Sequence, residues 1–436
     1  MGKDNQINSS SIKTAVGTST KKDAYTAGKE VAEKTLKKLN DTPDLFLLFA
    51  TEHYADNGGF EKFLEGVWEI LPKKTILAGG SINGFLNNDG CYALGTTALA
   101  IKNPNMNITV GHGKNTKRNA KKAAKQCIKM IKKQEKNEYS NKIIFSFISS
   151  TKNFKINIPG MRDTSYINSK ILARFALLIM GILQKLLKKG LGKEQEVLEE
   201  IIKKLPQYYL IHGSMTSGAP YIRNYQFLND KVYKDDAIMI ALDIDLPFNL
   251  NFSTGAKKTD IKFKITKISK NKKIIKEINN KPAFTEFLKI MNWTEKEIGD
   301  FKWTDRGVRY PIAFEKNSKI MLRPPLLIMG NFMGVIGKIE NNNVFIADIS
   351  SEAVTQATDE NLTIKKPLFG YFSTCFSQRD YLGIKVFQVQ EKLKNYFQEK
   401  PFIMIYVGGE GMYKPNENLY YLTESLTSVI FHKEGK

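Results

Sequence analysis

Three stretches place small hydrogen-bonding residues straight after an apolar run. Gly79, Gly80 and Ser81 follow residues 75–78, and the turn continues through Asn83 and Gly84. His212, Gly213 and Ser214 follow residues 208–211, and Gly408, Gly409 and Glu410 follow residues 402–407. Each reads as a buried strand running into a tight loop. Glycine lets backbone N–H groups approach a ligand closely. Thr51-Glu52-His53-Tyr54, Ser149-Ser150-Thr151 and Thr374-Cys375 end three other apolar runs. Loops at the carboxyl ends of strands in an open α/β sheet meet over a crevice. The chemistry this suggests is binding of a small polar molecule. Glu410 and Arg379 could grip both ends of an amino-acid-like zwitterion, or simply pair with each other.

Catalysis is the competing reading. Cys375 with His53, or Ser81 with Glu52, would serve as nucleophile and base if the fold joined them. That would make the chain a hydrolase or transferase, but no G-x-S-x-G context surrounds any serine. The plainer readings are a sharp chain turn at each glycine pair, a small packed residue at Cys375 and a surface histidine at His53. The four histidines form no HxH or HExxH pattern, and GxGxxG and P-loop spacings are absent. Neither a metal nor a cofactor is expected. Cys91, Cys127 and Cys375 lie far apart, as reduced thiols of a cytosolic protein would.

These residues need strands and helices to position them. A strand at 12–17, an alanine-rich helix at 21–39, an apolar strand at 45–50, a helix at 60–71 and the run 75–81 make one unit, closed by a strand near 98–101. The order then restarts: strand 107–113, helix 114–133, strand 143–149, return strand 208–211 and last strand 237–242. Residues 12–106 and 107–242 therefore read as a duplication within one domain. The second copy carries a helical insertion at about 160–205. Beyond residue 243 a hairpin over 262–278, a helix from Pro282, an irregular stretch at 292–323 and further strands precede a third copy. That copy comprises strand 367–373, loop 374–380, helix 382–398, strand 402–407 and last strand 426–431. The expected class is α/β in the mixed α+β sense, with layered sheets, flanking helices and a related second domain at 243–436.

The net charge of +22 comes almost entirely from lysine, because only eight of the 66 basic residues are arginine. This fits solvated surfaces better than a phosphate reader, which favours clustered arginine. No specific nucleic-acid partner is expected. Residues 171–187 form the most apolar helix, but it is short for a membrane span and carries Arg174 and Lys185. A buried helix or a partner-docking face is expected there. Residues 1–11 are polar and read as a disordered start.

In its motifs the chain resembles the FIST proteins, named for F-box and intracellular signal transduction. The start of that family, Gly-x-Ser before an alanine-rich helix, is similar to Gly17-Thr18-Ser19 and the helix after it. Its Gly-rich turn resembles Gly79 to Gly84. Its hairpin before x-Pro-Ala resembles 263–268 followed by Lys281-Pro282-Ala283. Its Ser-Cys-x-x-Arg loop resembles Ser373-Thr374-Cys375 with Arg379, although three residues here separate cysteine from arginine. Its aromatic-x-x-Gly-Glu turn resembles Tyr406 to Glu410. The resemblance implies N-terminal and C-terminal FIST domains and a cytoplasmic sensory protein. The ligand would be an amino acid or related metabolite, and signalling would pass through a separate protein partner. It implies no enzymatic activity. A protein-interaction adaptor docking through 171–187 is the remaining alternative.

Overall fold

The computed structural model describes residues 12–151, 166–167, 192–216, 223–296 and 303–433. The expectations for 1–11 and for the helix at 171–187 lie outside these residues. The fold is mixed α and β, as expected. Its first three sheets share one plan. In the first, leading strand Lys13–Ser19 pairs antiparallel with return strand Thr96–Lys102. The return strand pairs antiparallel with central strand Leu45–Thr51, which pairs parallel with partner strand Ile76–Ile82. The second sheet repeats this order with Met106–Gly113, Ala237–Ile244, Asn141–Ser149 and Tyr209–Met215. The third repeats it with Phe248–Ser253, Leu426–His432, Pro367–Cys375 and Phe402–Val407.

Each partner strand leads into a hairpin that joins a different sheet. Phe85–Asn87 with Gly90–Tyr92 extends the third sheet. Gln226–Leu228 with Lys231–Tyr233 extends the first. Glu410–Tyr413 with Tyr420–Leu422 extends the second. The exchange runs once around, so every sheet is completed by a neighbour and its partner-strand edge is covered. A fourth sheet, inserted within the third unit, contains Ala256–Ile268, Ile274–Ile278, Ile312–Lys316, Lys319–Arg323, Pro325–Met329, Phe332–Val335 and Asn343–Ile349.

The central strands are buried on both faces, which is why they read as unbroken apolar runs. Along Leu45–Thr51 the two-residue period sorts side chains to opposite faces. Leu45, Leu47 and Phe49 enter a common core with Phe145, Phe147, Phe369 and Tyr371. Phe49 lies 5.6 Å from Phe147 and 6.0 Å from Tyr371 between ring centroids. Phe46, Leu48 and Ala50 face Ala27, Val31, Phe63 and Val67 of helices Ala24–Leu39 and Phe60–Ile70. The other two sheets likewise turn one face to the shared core and one to their own helices. Helix Ala24–Leu39 starts where the Asp23 side chain accepts the Thr26 N–H and stops at Asn40 in the left-handed conformation.

Several expectations change. Gly79, Gly80 and Ser81 sit inside Ile76–Ile82, and His212, Gly213 and Ser214 inside Tyr209–Met215, rather than in loops after the strands. Gly79 is there for close approach: a Cβ on it would lie 1.8 Å from the Leu48 carbonyl oxygen, and its φ is +152°. Gly408-Gly409 does lie between strands, as Asn83-Gly84 does between Ile76–Ile82 and Phe85–Asn87. The loop expected at 374–380 is the end of Pro367–Cys375 followed by helix Phe376–Leu382. The irregular stretch at 292–323 contains helix Trp303–Arg309 and two strands.

Candidate functional site

The three partner strands converge, and their ends are hydrogen-bonded in a ring. Thr216 N donates to Ser81 O at 3.2 Å, Gly408 N to Ser214 O at 3.0 Å, and Asn83 N to Tyr406 O at 2.9 Å. Ser214 N and Tyr406 N donate to Gly409 O and Gly84 O at 2.8 and 3.0 Å. The ring fixes which positions correspond. Ser81, Ser214 and Tyr406 are equivalent, and so are Asn83, Thr216 and Gly408. Ser81 therefore corresponds to Tyr406 and not to Glu410, although both Ser81 and Glu410 follow a glycine pair. A Cβ on Gly408 would lie 2.7 Å from Thr216 Cγ2 and 3.1 Å from Ser150 Oγ, so glycine permits this convergence.

The central strands end in a second equivalent set: Thr51, Ser149 and Cys375. Their N–H groups donate to Gly95 O at 2.9 Å, Asp236 O at 3.1 Å and Ser425 O at 3.1 Å. One residue earlier on those return segments stand Leu94, Asp235 and Glu424. The three surroundings differ in chemistry.

Around Cys375 the site is acidic and enclosed. Glu410 is fully buried, and its Oε2 accepts from Ser425 Oγ at 2.8 Å and Ser425 N at 3.3 Å. Glu424 is 1% exposed, and its Oε1 lies 3.5 Å from Tyr381 Oη. Glu410 Oε1 and Glu424 Oε2 are buried without a hydrogen-bond partner among the described residues. Burial holds both carboxyls well above the usual carboxylate range, and the Glu410 charge pushes Glu424 further the same way. Burial, then the charges of these two glutamates, push the Cys375 thiol up. Cys375 accepts a hydrogen bond from Ser377 Oγ at 3.0 Å. Arg379 does not close on Glu410. Its guanidinium donates to the Asn83 carbonyl and lies 3.6 Å from Asp380.

Around Ser149 the acid has a cation. Lys117 Nζ, wholly buried, donates to Ser149 Oγ at 2.6 Å and to Asp235 Oδ1 at 3.1 Å. Asn224 reaches Ser149 Oγ at 3.4 Å and donates to Ser150 O at 2.8 Å. Glu194, 3% exposed, has its carboxyl raised by burial, with Lys117 opposing that shift. Around Thr51 the set is more open. Thr51 Oγ1 lies 2.7 Å from His53 Nδ1, and burial lowers the His53 pKa. Glu52 pairs with Arg223, which also holds Asp56 at 2.7 Å.

His212 is fully buried between Ser146 Oγ at 3.2 Å and Ser214 Oγ at 3.0 Å, and burial lowers its pKa to about 3. Ser81 Oγ accepts from Tyr225 N at 3.0 Å, within the strand pairing. Among the described residues no contact joins Cys375 to His53 or Ser81 to Glu52. The fold thus brings Gly408, Gly409, Glu410 and Cys375 together, with Asn83 and Arg379 at the ring. Thr51, Glu52 and His53 stand at their own corner. Sequence reasoning missed Glu424, Lys117, Asp235 and Tyr381. The usable signal was an acid just before the return strand in two of the three units.

Among the described residues no helix is long and apolar enough to cross a membrane, and no group of three or more His, Cys, Asp or Glu could hold a metal ion. Three of the four sheets share one strand order around a common core, and their partner-strand ends meet at one junction. The pattern of the FIST N domain matches residues 44–281, more than half of the chain, and the chain belongs to that family. The family is associated with small-ligand sensing in signal transduction. No curated protein matches the sequence. Among solved structures, a cyanuric acid hydrolase from A. caulinodans is similar at 7% identity and a TM-score of 0.24, covering 54% of this chain and 72% of its own. A cyanuric acid hydrolase described as arising by structural concatenation is similar at 8% identity and a TM-score of 0.25, covering 56% and 72%. PurLQS from Thermotoga maritima is similar at 10% identity and a TM-score of 0.20, covering 97% and 72%. At these scores the likenesses transfer no activity to this chain.

Proposed function

We propose that this protein is a cytoplasmic small-molecule sensor whose ligand sits at the junction of the three partner strands and whose signal passes to a separate protein. The observation that carries this reading is the ring joining Ser81, Ser214 and Tyr406 to Thr216, Gly408 and Asn83. Three strand ends meet there, and buried polar groups with unused hydrogen-bonding capacity stand around them, including Asn83 Nδ2 and Glu410 Oε1. Buried polar atoms without partners cost stability unless something satisfies them. In this reading the three sheets are copies of one unit, which is how equivalent strand ends come to line one place. Residues 12–242 and 243–436 are then the N-terminal and C-terminal FIST-like halves.

The test is thermal stabilisation of the full chain by a panel of metabolites, with the mixture assayed for turnover. A compound that raises the melting temperature and is recovered unchanged supports the sensor. Turnover abolished by Cys375→Ala would replace it with the enzyme reading. That reading is weakened by the raised thiol pKa of Cys375, since the thiolate is the nucleophile.

A further inference from the structure

We propose that the buried carboxyl pair Glu410 and Glu424 receives the cationic head of a small amine, an ammonium or guanidinium group, and that the ligand needs no carboxylate. This rests on the sensor reading and deepens it. The first observation is internal to the fold. Asp235 and Glu424 hold the same position, one residue before those accepting from the central-strand ends at Ser149 and Cys375. In the second unit a cation fills the space: Lys117 Nζ, wholly buried, bridges Asp235 Oδ1 and Ser149 Oγ. In the third unit the acid is kept and a second, Glu410, is added, but no described lysine or arginine pairs with either. In the first unit Leu94, 61% exposed, replaces the acid, and no charge needs an answer.

The second observation is the unused acceptor capacity. Glu410 is 0% exposed, and its Oε1 has no partner among the described residues; the same holds for Glu424 Oε2. The remaining oxygens are occupied by Ser425 and approached by Tyr381. Two carboxylates without a counter-ion are unfavourable away from water, whereas an N–H-bearing cation pairs with such oxygens through charge-assisted hydrogen bonds. Arg379 is directed to the Asn83 carbonyl and Asp380, so it is already engaged where a zwitterion's carboxylate would need it.

The probes are agmatine and n-butylamine as amines, alanine as a zwitterion and succinate as a dianion. Each is titrated against the full chain by calorimetry and thermal shift. The amines are expected to bind, with affinity falling at least about tenfold in Glu424→Gln and in Glu410→Gln, both of which preserve side-chain shape. Succinate is expected not to bind. Circular dichroism and the unliganded melting temperature report whether each variant is folded. Should a variant fail to fold, competition between agmatine and n-butylamine on the native chain tests for one shared site, and independent binding of the two overturns the proposal. Amine binding unchanged in both folded variants also overturns it. Binding of alanine without either amine overturns it while leaving the sensor reading in place. If no compound of the wider metabolite panel stabilises the chain, the sensor reading itself fails.

Discussion

Asp235 and Glu424 occupy the same point of two equivalent sheets, yet only Asp235 has a lysine beside it, Lys117 at 3.1 Å. The difference between these two acids organises the chemistry of the junction. One is ion-paired with Lys117 through Oδ1, although its Oδ2 has no hydrogen-bond partner among the described residues. The other belongs to a pair of carboxyls whose pKa values burial raises well above the usual carboxylate range.

The stability of the unliganded protein should therefore fall as pH rises from about 4.3, the ordinary glutamate pKa, toward the raised folded values. Across that window the folded state binds more protons than the unfolded state, so raising the pH favours unfolding. Glu424→Gln keeps the neutral shape and removes one of the titrations. It should unfold at a higher urea concentration than the wild type at pH 8, with the advantage shrinking toward pH 5. A variant less stable than the wild type across the whole range would show that burial alone does not set the protonation of this pair.

Lys117→Met should cost about 3 kcal/mol, because removing one partner strands the other in a buried place. Asp235 retains 12% side-chain exposure, which sets the expectation at the low end. Adding Asp235→Asn should recover a substantial part of the loss. A double-mutant cycle by chemical denaturation measures the coupling, and purely additive effects would contradict the pairing described here.

His212 should stay neutral far below the normal histidine range, titrating at about 3. A folded pKa below the unfolded one contributes stability that is fully present above about 6.5 and is lost as pH falls through that window. Nitrogen NMR of the imidazole, followed from pH 8 to pH 4, should show one tautomer throughout. Protonation near pH 6 would mean that the Ser146–His212–Ser214 arrangement is open to water.

Gly79→Ala should destabilise the chain by more than about 2 kcal/mol, combining overpacking with backbone strain. The added methyl meets the Leu48 carbonyl at 1.8 Å, in a strand hydrogen-bonded on both sides, so relief requires the sheet to separate. The urea unfolding midpoint measures this directly. A change within about 0.5 kcal/mol would show that Leu48 and Gly79 are less tightly packed than the pairing implies.

Much of the fold was legible in the chain. Periodicity located the leading, central and partner strands and their helices, because burial on both faces leaves unbroken apolar runs such as 45–50. The order of elements suggested a repeat, and three of the sheets share one strand order; Cys375, Glu410 and Arg379 stood out by residue type. The glycines misled. Gly79 and Gly213 read as loop residues, since propensity alone cannot distinguish a chain break from a place where two backbones must touch. The hairpin exchange could not be read at all, because short strands such as 85–87 and 226–228 carry no label for the sheet they join. Register is a contact property, so the equivalence of Asp235 with Glu424 and the placement of Lys117 beside only one of them were decided by tertiary structure. The sequence by itself determined which residues are buried in strands. The three-dimensional closure of three sheets on one another determined which acids face each other and which of them has a counter-charge.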